Sequence, residues 1–134
     1  MPAGNAHRIL ETLLTAFSDV GPGRVAVTAT STGVALQENL AVQFVVPTWG
    51  AADNIIILPS PQPGKIVIIA GAATGGELRS SSPSTIAING GTGANAESAV
   101  AANRMIVAIC ESATSWKAFG IASDGTTAGL EAAA

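Results

Sequence analysis

The spacing of hydrophobic positions along this chain changes once, at Gly21-Pro22-Gly23. Before that triplet Ile9, Leu10, Leu13, Leu14 and Phe17 recur at three- and four-residue intervals, with Arg8, Glu11, Thr12, Thr15 and Ser18 between them. The spacing predicts an amphipathic helix from Asn5 to Asp19, with Asn5 as its N-cap and Gly-Pro-Gly as its stop. About thirteen helical residues span ~20 Å, and a helix this short is marginal in water without an apolar partner. Burying its large side chains contributes on the order of 8–15 kcal/mol gross, before ordering entropy is subtracted. The hinge directs the expectation toward a neighbouring subunit: residues 1–22 form a helical arm that makes contact through Ile9, Leu10, Leu13, Leu14 and Phe17.

After the hinge the pattern becomes short β-branched runs between turn residues. The runs are Val25 to Thr30, Val34 to Leu36, Val42 to Val46, Ile55 to Leu58, Ile66 to Ile69, Thr85 to Ile88, Met105 to Cys110 and Trp116 to Ile121. Pro47, Pro59, Pro61, Pro63 and Pro83 fall at their ends, where a missing amide donor harms no ladder. The expected fold is mainly β: a compact antiparallel β-sandwich or barrel of about eight short strands, preceded by the helix. Ile55-Ile56-Ile57-Leu58 and Ile66-Val67-Ile68-Ile69 lack polar alternation, so both of their faces require cover. A second subunit would supply it, which makes Ile55, Ile57, Ile66 and Ile68 the expected core and trimer contacts. Residues 23–121 form the β-core domain in this reading. Residues 122–134, rich in Ser, Thr, Gly and Ala, form a flexible tail ordered only on assembly.

Composition narrows the partners. The chain has 134 residues, enough for one domain, and is 48% hydrophobic but only 11% charged, against about a quarter in ordinary domains. Its surface must therefore be largely Ser, Thr, Asn, Gly and Ala, which suits permanent assembly. A formal net charge of -3, spread over single residues, offers no basic stripe for nucleic acid. No apolar run approaches the ~18–20 residues of a membrane span, and no leader pattern opens the chain. It is expected to be made and kept in the cytoplasm until assembled. Cys110 alone permits no internal disulfide and is expected to be a small buried thiol.

Candidate chemistry is sparse. Gly91-Thr92-Gly93-Ala94-Asn95-Ala96 has the glycine spacing of a dinucleotide loop, but Glu97 to Asn103 is too short for the crossover helix that loop requires. It reads as a glycine-rich connection between strands, and no Gly-Lys-Ser/Thr phosphate cradle exists. His7 is the only histidine, and the carboxylates are scattered singly, so no cofactor, metal, small-molecule substrate or enzymatic activity is expected. Trp49 and Trp116 are candidates for stacking on sugars.

Four segments carry a family resemblance: Ile57-Leu58-Pro59, Gly64-Lys65-Ile66-Val67-Ile68-Ile69, Ile88-Asn89-Gly90-Gly91 and Ser112-Ala113-Thr114-Ser115-Trp116-Lys117. In this order, between Asn54 and Phe119, they resemble the β-modules of tailed-bacteriophage structural proteins, both capsid decoration (cement) proteins and tail-fibre modules. The resemblance implies a homotrimeric virion component without enzymatic activity. A short independent chain fits a cement protein that binds the major capsid protein on the outer capsid surface and stabilises the shell. A tail-fibre or receptor-binding module recognising host surface glycans is the alternative.

Overall fold

The structure, a computed structural model, describes residues 24–134. The helix expected between Asn5 and Asp19, with its contact residues Ile9, Leu10, Leu13, Leu14 and Phe17, lies outside the described residues. Within them are eleven strands and no helix: β1 (Arg24–Thr28), β2 (Val34–Ala35), β3 (Val42–Thr48), β4 (Ile55–Ile57), β5 (Ile66–Ile69), β6 (Gly76–Arg79), β7 (Ala87–Ile88), β8 (Glu97–Val100), β9 (Met105–Ser112), β10 (Ser115–Ile121) and β11 (Thr127–Gly129). They make two sheets and no closed barrel. The larger runs β1-β3-β5-β9-β10-β11, with β7 added beside β10, and the smaller runs β2-β4-β6-β8.

The mainly β, two-sheet character agrees with expectation, but the antiparallel arrangement does not. Strands β1 to β6 alternate between the sheets, so each strand pairs in parallel with the next but one in sequence. Arg24 lies opposite Phe44, Val34 opposite Ile56, Val42 opposite Ile66 and Ile55 opposite Glu77, so the chain advances by coils of 20 to 24 residues. Unalternating apolar runs are common in parallel strands, and Ile55 to Leu58 and Ile66 to Ile69 are such runs, although in the second only Val67 and Ile69 are buried. Beyond the third coil the pairing is antiparallel for β9 against β5, β8 against β6 and β10 against β9, while β7 lies parallel to β10.

The core lies between the sheets. Val45, Val67, Ile69, Ile106, Ala108 and Trp116 enter it from the larger sheet, and Ile56, Leu78 and Val100 from the smaller. Gly76 permits one close approach: a β-carbon there would fall inside the indole of buried Trp49. Asn54 ties the coils together, donating from its amide to the carbonyls of Ala29, at 3.2 Å, and Trp49, while its own carbonyl accepts from Glu77 N–H at 2.9 Å. Pro47 lies inside β3 but past its last partner on β5, Val45 opposite Ile69, so its missing donor leaves no gap in that ladder.

The stretch expected as a tail is instead built into the fold. Its strand β11 pairs with β10 through a turn in which Asp124 Oδ1 accepts from the Thr126 amide and hydroxyl. Farther on, Ala133 is buried, its amide donates to Ile88 O, and Ala134 and Glu97 exchange backbone hydrogen bonds. The Ala133 backbone presses against Gly91, where no β-carbon would fit, so glycine is required at position 91.

Asn89 closes this end. At φ 52°, a left-handed conformation that asparagine tolerates, it donates from Nδ2 to Ala118 O and Leu130 O, and Oδ1 accepts from Ala118 N–H, each at 2.9 Å. The side chain acts as one rung of a strand beside β10. Asn89→Ala removes these bonds and strands the Ala118 amide, so urea unfolding is expected to show a loss of about 2–4 kcal/mol. A loss below about 1 kcal/mol would show that water replaces them.

Candidate functional site

Side chains alternate across a strand, so the larger sheet that buries Val45 and Val67 on one side must present their neighbours on the other. Strand register sets these neighbours in rows. One row reads Val42, Ile66, Ile109 and Lys117, and the next reads Arg24, Phe44, Ile68, Val107 and Phe119. From Phe44 to Phe119 the second row is apolar across four adjacent strands, about 14 Å at the usual strand spacing. Val42, Phe44 and Ile109 are exposed by 51%, 40% and 39%, while Ile66, Ile68, Val107 and Phe119 are half-buried. Charge is confined to the margin, in Arg24 and an exposed Lys117–Glu111 pair at 3.6 Å. Such an exposed pair contributes little to stability.

The outer face of the smaller sheet differs. Arg79 and Glu97 form a partly buried ion pair, and Glu131 accepts from the Ala99 amide at 3.2 Å. The four isoleucines expected to share one interface are therefore divided. Ile66 and Ile68 stand side by side with Phe44 and Ile109 on the larger sheet. Ile55 is buried and Ile57 half-buried on the smaller sheet, against the turn that carries Gly33. Sequence reasoning missed Phe44, Val107, Ile109 and Phe119. The available signal was that Val42, Phe44 and Val46 are apolar at every second position of a strand whose other positions turn inward.

Residues proposed for chemistry serve structure. Trp49 and Trp116 are both buried, at 2% and 0% exposure, so neither offers a face to a sugar. The loop from Gly91 to Ala96 joins β7 to β8. A depression of about 450 Å³ lies between Glu38–Ala41 and Gln62–Lys65. Its one cation, Lys65, donates from Nζ to Ser60 O at 3.0 Å and lies 3.9 Å from Glu38 Oε2, which in turn accepts from Ser60 N–H. These contacts lock two loops together. No group of three or more His, Cys, Asp or Glu able to hold a metal occurs among the described residues. The outer rows of the larger sheet offer a contiguous apolar area.

Cys110 is buried and donates from Sγ to Ser112 O at 3.0 Å. Burial pushes its pKa above the ordinary 9.0, outweighing the lowering by the Ser112 carbonyl.

The chain matches no protein-family model, no curated protein and no solved structure.

The raised thiol pKa gives a pH dependence with a definite sign. The folded state holds the proton more tightly, so this contribution is complete below the ordinary value near 9.0 and is lost as pH rises through the folded value. Urea midpoints are expected to fall above pH 9, and the gap between the wild type and Cys110→Ala to narrow over that range. A gap constant to pH 10.5 would contradict the assignment.

Proposed function

We propose that this protein is a tailed-bacteriophage virion component that binds the outer capsid surface as a decoration, or cement, protein. It is synthesised in the host cytoplasm, assembles as a homotrimer and attaches to the major capsid protein. The observation that carries this reading is the apolar outer face of the larger sheet, where Phe44, Ile68, Val107 and Phe119 form one row and Ile66 and Ile109 extend it. Contiguous exposed apolar surface is a mark of an interaction site, and only 11% of this chain is charged. The resemblance of the segments between Asn54 and Phe119 to phage β-modules is what supports a virion location in this reading.

The mechanism is burial. Fully covering an Ile, Val or Phe is worth about 1.5–3 kcal/mol, and these are already partly covered, so about 1 kcal/mol remains for each. Association costs about 4–15 kcal/mol in lost freedom, so a single face-to-face contact is weak. Three faces around one axis bury every row against two neighbours and leave no copy unsatisfied. Three linked subunits then hold the shell by avidity even where each contact is modest.

Light scattering is expected to give a mass three times the chain's 13.2 kDa, and the trimer is expected to sediment with empty shells of the same phage's coat protein. Phe44→Asp with Ile109→Asp, at the two most exposed large side chains of these rows after Val42, is expected to give folded monomers that no longer sediment. A wild-type monomer that ignores shells would overturn the proposal. Retention on a glycan array without shell binding would do so in favour of a receptor-binding module.

A further inference from the structure

The chain contains one Asn-Gly pair, Asn89-Gly90, the dipeptide in which backbone attack on a side-chain amide is least hindered, because glycine has no β-carbon to obstruct it. Here the pair forms the two central residues of a hairpin turn. Asn89 and Gly90 have φ of 52° and 89°, and Ile88 and Gly91 exchange backbone hydrogen bonds at 3.0 and 3.2 Å across them, the type I′ geometry in which Asn-Gly is favoured. Gly90 is exposed, with nothing within 4 Å of where a β-carbon would stand, so solvent reaches the turn.

The Asn89 side chain is engaged on the other side of the turn. Nδ2 donates to Ala118 O on β10 and to Leu130 O at the start of the C-terminal strap, Leu130 to Ala134, and Oδ1 accepts from Ala118 N–H. Both Nδ2 hydrogens and the carbonyl oxygen are thus used, and the side chain joins β10 to the strap. The strap is held farther along by Ala133 N–H donating to Ile88 O at 3.1 Å and by Ser98 Oγ donating from β8 to Glu131 O at 3.0 Å.

We propose that Asn89 is a deamidation site that its hydrogen bonds to β10 and the strap hold shut, and that conversion of this residue when the turn lifts away prevents the strap from closing again. In the reaction Gly90 N forms a bond to Asn89 Cγ, the bond from Cγ to Nδ2 breaks, and the Gly90 amide proton leaves with Nδ2 as ammonia. Water then opens the cyclic imide at either carbonyl, giving aspartate or isoaspartate at position 89. In the folded subunit Cγ reaches Gly90 N only if the side chain swings off Ala118 and Leu130, which breaks all three hydrogen bonds and strands the Ala118 amide. Opening of this end of the fold removes that restraint.

The product cannot resume the role. An ionised aspartate only accepts, so its oxygens would face the carbonyls of Ala118 and Leu130 with no proton between them. Isoaspartate lengthens the backbone of a turn that the Ile88–Gly91 pair closes tightly. A single opening is therefore recorded covalently, and the change runs one way. The inference does not depend on capsid binding.

The test begins with the unmodified full chain at mildly alkaline pH, incubated folded in buffer and unfolded in urea, and followed by peptide mass, since each conversion exchanges an ammonia for a water. Conversion at Asn89 is expected to be slower in the folded protein by about 30-fold or more, the rate equivalent of the bonds that must break. Equal rates would overturn the protection. The second arm is Asn89→Asp at neutral pH. Amide exchange is expected to accelerate at Ala118, in β11 and in residues 130–134, and to stay unchanged in β3 and β5. The difference from wild type is expected to narrow below about pH 3.9, where a protonated carboxyl regains one donor. Exchange as slow as in the wild type at neutral pH would overturn the latch. Should Asn89→Asp fail to fold, wild type partly converted in urea and then diluted decides the matter. Unconverted molecules are expected to regain a protected strap and converted ones to lack it, and equal protection in both would overturn the inference.

Discussion

Burial of apolar side chains between the two sheets is the interaction on which the rest of this structure depends. Neither sheet is stable alone, since the smaller has four short strands and the larger contains strands apolar on both faces. Ile56 and Leu78 from one side and Val67, Ile106 and Trp116 from the other are almost without solvent contact. The coil path follows from this requirement. By crossing from one sheet to the other at each turn, successive strands of the first three coils contribute inward side chains to a single interior, and the sheets grow together.

Several polar side chains inside or beside that interior each bind a specific backbone atom, whereas Trp116 Nε1 and Gln43 Oε1 are buried without a partner among the described residues. Asn54 at the corner of the coils, Gln43 donating to Gln37 O at 2.9 Å, Ser98 donating to Glu131 O at 3.0 Å and Asn89 beside β10 all bind backbone in this way. Three of the four involve backbone distant in sequence, so they fix the position of loops and of the C-terminal strap rather than local turns. The strap closes one end of the stack. It lies against Gly91, where the absence of a β-carbon lets the Ala133 backbone approach closely.

The outside of the larger sheet carries what the inside cannot use. Its strands are apolar at both parities, so one set of side chains fills the core and the other forms rows on the surface. No comparable row exists on the smaller sheet, where Glu77, Arg79 and Glu97 occupy the outward positions. This asymmetry leaves the larger sheet with an apolar outer face and the smaller sheet with a charged one.

By itself the sequence determined the mainly β class, the places of eight strands and the burial of Cys110. These follow from local periodicity and turn chemistry, which act over a few residues. It did not reveal β6, β8 or β11, because Gly-Glu-Leu-Arg, Glu-Ser-Ala-Val and Thr-Ala-Gly become strands only beside partners at sequence separations of 6 to 24 residues. Tertiary structure alone decided that the first six strands pair in parallel, that both tryptophans lie in the core, that the C-terminal residues strap the fold, and that Ile66 and Ile68 share a surface from which Ile55 and Ile57 are excluded. The physical reason is that a period of two fixes which side chains share a face of a strand, while the choice of face for the core depends on which strands become neighbours.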